Sequence, residues 1–99
     1  MLCSPVYYLG FSAQLKTVID RTYAESAIGR KIQSAILLFV AGKKDTFVSD
    51  CMINAYQQLS DYLGFQNLGI ISAKGFEKPN EIESSQILID AFELGKSIV

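Results

Sequence analysis

Ser34-Ala35-Ile36-Leu37-Leu38-Phe39-Val40-Ala41 decides the fold. The run is apolar without alternation, so it reads as a strand covered on both faces. Gly42-Lys43-Lys44-Asp45-Thr46 follows as a polar loop, with Asp45 or Thr46 placed to cap a helix. Val48, Cys51, Met52, Ala55, Tyr56, Leu59, Tyr62 and Leu63 then form one apolar stripe at helical spacing. Gly64 comes next, where a left-handed helix cap is favoured. Leu68-Gly69-Ile70-Ile71-Ser72-Ala73 is a second buried strand, closed by Gly75.

Upstream of the central strand, Gly10-Phe11-Ser12 is a break, and Ser12 is placed to cap a helix from Ala13 to about Tyr23. Leu15, Val18, Ile19 and Thr22 give that helix its apolar face, while Lys16 and Asp20 form an i, i+4 pair of opposite sign. Gly29-Arg30-Lys31 is a polar break. Downstream, Asn80 is placed as the N-cap of a last helix, with Glu83 completing a capping box. Ser85, Leu88, Ile89 and Phe92 are expected to form its apolar face, continuing to Gly95 and Val99. Met1-Leu2-Cys3 resembles the last residues of a third strand running into Ser4-Pro5. Strands and helices that alternate in this way call for parallel βαβ units with right-handed crossovers, an α/β fold in layers. A strand that is already ending at residue 3 leads us to expect a domain truncated at its N-terminus.

Composition sets the limits on chemistry. The 99 residues suffice for one domain, with 49% apolar and 19% charged residues arguing against disorder. A formal charge of −1 provides no cationic field for a nucleic-acid backbone or an anionic membrane. The apolar run Ala35 to Ala41 is too short to span a bilayer, and no basic region precedes an apolar stretch at the N-terminus, so a cytoplasmic protein is expected. With no histidine, imidazole triads and imidazole metal sites are excluded. Cys3 and Cys51 are too few and too far apart for a zinc or iron–sulfur motif. Sequence leaves a disulfide between them open, although ordinary, partly buried thiols are the simpler reading.

Ser4-Pro5-Val6-Tyr7-Tyr8, Ser12-Ala13-Gln14-Leu15-Lys16 and Ile19-Asp20-Arg21-Thr22 together resemble the signature of the flavodoxin-like NAD(P)H-dependent FMN reductases. The strand end Val40-Ala41-Gly42, the helix end Tyr62-Leu63-Gly64, the Gly69-Ile70-Ile71 strand and the Ala91-to-Lys96 helix are similar in placement. The resemblance covers essentially the whole chain. It implies a flavodoxin-like three-layer α/β/α fold with a parallel sheet, of which residues 1–99 are a single incomplete domain. Strands 1 and 2 and the loop that wraps the FMN phosphate have no counterpart here.

The resemblance further implies an FMN-dependent NAD(P)H oxidoreductase that passes electrons from a nicotinamide through FMN to a small acceptor such as a quinone or free flavin. Ser4, Pro5, Val6 and Tyr7 would lie along the flavin, and Ala41, Gly42 and Lys43 would form a second wall. No catalytic side chain and no metal ligand is implied, because the cofactors carry the redox chemistry. A homodimer would bring a second subunit near the flavin.

Each residue also has a plainer role. Tyr7 and Tyr8 suit packing or an interface, Gly42 can simply end a strand, and Lys43-Lys44 suits a solvated turn or an anionic nicotinamide phosphate. Asp20-Arg21 suits an exposed structural pair. The alternative function is a non-catalytic flavodoxin-like fragment or interaction module that no longer binds FMN. Self-association, as an ordered dimer or an aggregate, is expected through the unpaired edge of the first strand and the apolar surface under the last helix.

Overall fold

A computed structural model describes residues 1–29 and 31–98. Arg30, in the expected polar break, and Val99, at the end of the last apolar face, lie outside the described residues. The elements are β1 (Leu2–Pro5), α1 (Ala13–Ala27), β2 (Ser34–Ala41), α2 (Thr46–Leu63), β3 (Gln66–Lys74) and α3 (Gln86–Ile98). The three strands form one parallel sheet in the order β1-β2-β3. The α/β class and the parallel pairing therefore follow the hydrophobic pattern.

Adjacent residues of β2 point to opposite faces of the sheet. Ala35, Leu37 and Phe39 meet Met52 and Tyr56 of α2, together with Phe65, in the main core, where Leu37, Phe39, Met52 and Tyr56 are wholly buried. Ile36, Leu38 and Val40 lie on the other face, and the register places Gly69, Ile71 and Ala73 beside them. α3 crosses this second face: a Cβ at Gly69 would fall 2.9 Å from both methyl carbons of Leu94. Gly69 also has φ 156°, inside the range that side chains rarely adopt. Gly69→Ala is therefore expected to push α3 off β3 and cost roughly 1–3 kcal/mol, measured as a lower urea midpoint with the slope unchanged.

α2 follows its sequence signals closely. Asp45 is the N-cap residue, without a side-chain cap bond, and Gly64 closes the helix in the left-handed region at φ 75°. Its N–H donates to Ser60 O at 2.8 Å, and Ser60 Oγ donates to Phe65 O at 2.8 Å, which turns the chain directly into β3. Tyr56 anchors the helix to the sheet. Its hydroxyl donates to Ala35 O at 2.7 Å, with Asn67 Oδ1 at 3.1 Å, and Asn67 Oδ1 also accepts from the Gly69 N–H at 2.9 Å.

Burial pushes the Tyr56 phenol above its ordinary value of 10.0. Above that pH the unfolded phenol ionises while the folded one stays protonated, so the native state holds more protons and stability falls as pH rises. The Tyr56 contribution is thus complete below pH 10 and lost progressively toward the higher folded value. Denaturant midpoints should decline through this alkaline window less steeply in Tyr56→Phe than in the parent. Equal declines would show that Tyr56 does not drive the loss.

Several elements depart from the pattern. β1 runs to Pro5 rather than stopping at Cys3, and β3 begins at Gln66, where polar residues pair with Ser34 and Ala35 ahead of an irregularity at Ala35/Ile36. α1 extends to Ala27, yet none of its residues is buried and Val18 is 59% exposed. Cys51 and Tyr62 lie outside the buried part of the α2 stripe, and Val40 is only partly covered.

The capping box at Asn80 does not form. Asn80 is left-handed at φ 70°, whereas an N-cap needs extended backbone, and the Ile87 N–H instead donates to Ser85 Oγ at 3.2 Å. Consequently, Ile87, Ala91 and Leu94 are the half-buried positions of α3, while Leu88, Ile89 and Phe92 face outward. Both cysteines are free and exposed, not partly buried.

Candidate functional site

Three connections gather where the parallel strands end: Val6–Ser12 after β1, Gly42–Asp45 after β2, and Gly75–Ser85 after β3. The register sets Ser4 beside Phe39 and Pro5 beside Val40. The Val6 N–H donates to Val40 O at 2.9 Å, and the Gly75 N–H donates to Ala41 O at 2.8 Å. The expected site residues Ser4, Pro5, Val6, Ala41 and Gly42 are thus brought to one edge of the sheet. Rigid strands that hold several loops together are a common way to build a binding site.

Individual side chains differ in what they offer. Ser4 is buried, and its hydroxyl donates to Pro5 O at 2.7 Å while accepting from the Ser12 N–H at 2.9 Å. It ties β1 to the start of α1, where Ser12 Oγ accepts from the Leu15 N–H as the N-cap. Val6 packs against the core, whereas Tyr7 and Lys43 are exposed. Ala41 is buried. At Gly42 a Cβ would stand 3.3 Å from Glu77 Cγ, so a side chain from the third loop occupies the approach to that glycine. The contact comes from a segment far along the chain, and no local pattern signals it.

The connection after β1 carries the most unusual backbone. Tyr7 and Gly10 exchange two backbone hydrogen bonds, at 3.1 and 3.2 Å, around a two-residue turn. Its central residues, Tyr8 at φ 46° and Leu9 at φ 69°, have the paired positive φ values of a type I′ turn without the usual glycine or asparagine. Left-handed backbone costs on the order of 1–2 kcal/mol for each non-glycine residue, so the surrounding bonds must hold the turn in place. Tyr8 projects fully into solvent. The adjacent tyrosines are evident in the sequence, but the turn carries no sequence signal, because its composition is atypical.

Lys74 reaches back from the end of β3, and its Nζ donates to Ser49 Oγ at 3.3 Å near the start of α2. Concave surface lies elsewhere. An open groove of about 940 Å³ separates α1 from α2 and is lined by Phe11, Ile19, Leu59 and Tyr62, among others. A smaller hollow of about 210 Å³ sits at the far end of α1, between Thr22, Lys31 and Leu63.

Among the described residues, no group of three metal-ligating side chains assembles. No helix among them is long and apolar enough to cross a membrane. No protein-family model and no curated protein matches the chain.

Proposed function

We propose that the chain provides the ring-side wall of a flavin site in a flavodoxin-like NAD(P)H-dependent FMN reductase, a homodimeric cytoplasmic enzyme passing electrons to a small acceptor. One observation supports the reading: the Ser4–Val6 segment and the Ala41–Gly42 strand end lie side by side at the carboxyl edge of a parallel sheet. Flavin nucleotides bind at such an edge in doubly wound α/β folds. When bound, FMN would supply the hydride chemistry, and this chain would orient its ring.

The residues meet only part of what FMN requires. Pro5 stiffens one wall, but the Glu77 side chain stands beside Gly42 on the other and the Ser4 hydroxyl is already paired within the chain. In the Val6–Ser12 connection the Val6, Tyr7, Gly10 and Ser12 amides are already engaged within the chain. The fit is therefore incomplete, and no step of hydride transfer is assigned to a side chain.

The commitment of Ser4 and the intrusion of Glu77 beside Gly42 favour a second reading, a non-catalytic α/β interaction module. Flavin fluorescence separates the two. Saturable quenching at micromolar or higher FMN, weakened by Gly42→Val, supports the ring-side wall. Absence of quenching together with absence of NADPH oxidation at high FMN overturns it and leaves the module.

A further inference from the structure

Two glycines at the carboxyl edge of the sheet each lie against a side chain from the neighbouring connection. A Cβ at Gly42 would stand 3.3 Å from Glu77 Cγ and 3.5 Å from Glu77 Oε1. One at Gly75 would stand 2.5 Å from Lys44 Cγ and 2.6 Å from Lys44 Cε. The connection after β2 thus reaches over the start of the connection after β3, which reaches back over the start of the first. Between them the Gly75 N–H donates to Ala41 O at 2.8 Å. This reciprocal clasp covers the glycine that the sheet edge would offer to a flat ligand.

Little besides the clasp holds residues 76–84 in place. The Glu77 N–H donates to Glu81 Oε2 at 2.9 Å, and the Glu81, Glu83 and Ser85 N–H groups donate to the carbonyls of Lys78, Asn80 and Ile82. Each of these bonds closes within the connection. Among the described residues the one ion pair is Lys16–Asp20 on α1, so neither Lys44 nor Glu77 is locked by a charge partner. Residues 77–81 are exposed. A segment held by short-range, solvent-exposed bonds opens at the low end of a protein's stability range. Gly75 at φ 82° and Asn80 at φ 70° lie at its start and middle, and both residue types change backbone region at little steric cost. Hinges are built from such positions.

We propose that residues 75–85 form a hinged strap, with Glu77 as the bolt that closes the approach to Gly42 until the strap swings away. The strap regulates the flavin site proposed above and rests on that reading for the ligand it admits. Glu77 acts through its bulk, since its Cγ and carboxylate fill the space that the absent Cβ of Gly42 leaves open. Only the open form accepts the ring, so the apparent affinity falls in proportion to the open fraction. The contact that makes the fit incomplete is then a closed state rather than a permanent obstruction.

FMN titrations followed by flavin fluorescence, paired with 1H–15N relaxation dispersion of the flavin-free chain, test the strap. With an open fraction of about 10% or less, Glu77→Ala should tighten FMN binding by about tenfold, with circular dichroism unchanged. Glu77→Gln keeps the bulk and should bind as the parent does. The amides of residues 42–45 and 75–83 should share one microsecond-to-millisecond exchange process that β2 lacks. Parent-like FMN affinity in Glu77→Ala, or an equal gain in Glu77→Gln, would overturn the bolt and leave the flavin site standing. FMN binding in no variant would overturn the flavin site instead; the strap would then stand on a shared exchange process and fall without one.

Discussion

FMN titrated into the chain is expected to bind no more tightly than micromolar. The phosphate of such a cofactor is held by loop amides and hydroxyls, often at a helix N-terminus. Hydrogen bonds to charged groups are worth roughly 1.5–3 kcal/mol each, so a site without three or four of them forgoes about 5–12 kcal/mol. A nanomolar site at about −12 kcal/mol would then retain micromolar affinity at best. Within the Val6–Ser12 connection the Val6, Tyr7, Gly10 and Ser12 amides are engaged and cannot compensate. Saturable quenching at nanomolar FMN would contradict this expectation and would mean that a phosphate cradle exists elsewhere in the assembly.

Phe39→Ala is expected to unfold the domain or bring it close to unfolding. Phe39 is wholly buried at the centre of the core cluster, between α2 and the sheet. Truncating such a ring costs roughly 3–5 kcal/mol through lost transfer energy and the cavity left behind. A domain of this size has only about 5–15 kcal/mol in total. The control is Phe92→Ala, which removes an equal ring from an exposed position of α3 and should change stability by less than about 0.5 kcal/mol. Urea denaturation of the two variants side by side measures the contrast, and equal midpoints would refute the assignment of the core.

The parts of the molecule read most easily from sequence are those where one local pattern determines the structure. The unbroken apolar run of β2 has only one comfortable setting, and the α2 stripe followed by Gly64 names both a face and an end. The last helix shows the limit of such patterns. Asn80 and Glu83 have the spacing of a capping box, but left-handed backbone at Asn80 and the rival cap at Ser85 move the start downstream. The apolar face then rotates to Ile87, Ala91 and Leu94, because Gly69 lets Leu94 approach the sheet closely. Similarly, the candidate site could be located at the strand ends from sequence, whereas the pairing of Ser4 with Ser12 and the approach of Glu77 to Gly42 are long-range outcomes of folding.

α1 has no buried residue, and this has a thermodynamic consequence. A helix of this length is only marginally stable in water by itself. The Ser12 cap contributes about 1 kcal/mol, and the exposed Lys16–Asp20 pair no more than about that. α1 therefore belongs to the part of the molecule that opens most readily, well before the β2–α2–β3 unit that contains the buried aromatic core. Any partner that covers α1 must also supply the free energy of ordering it, so its measured affinity will be lower than the contact area alone suggests.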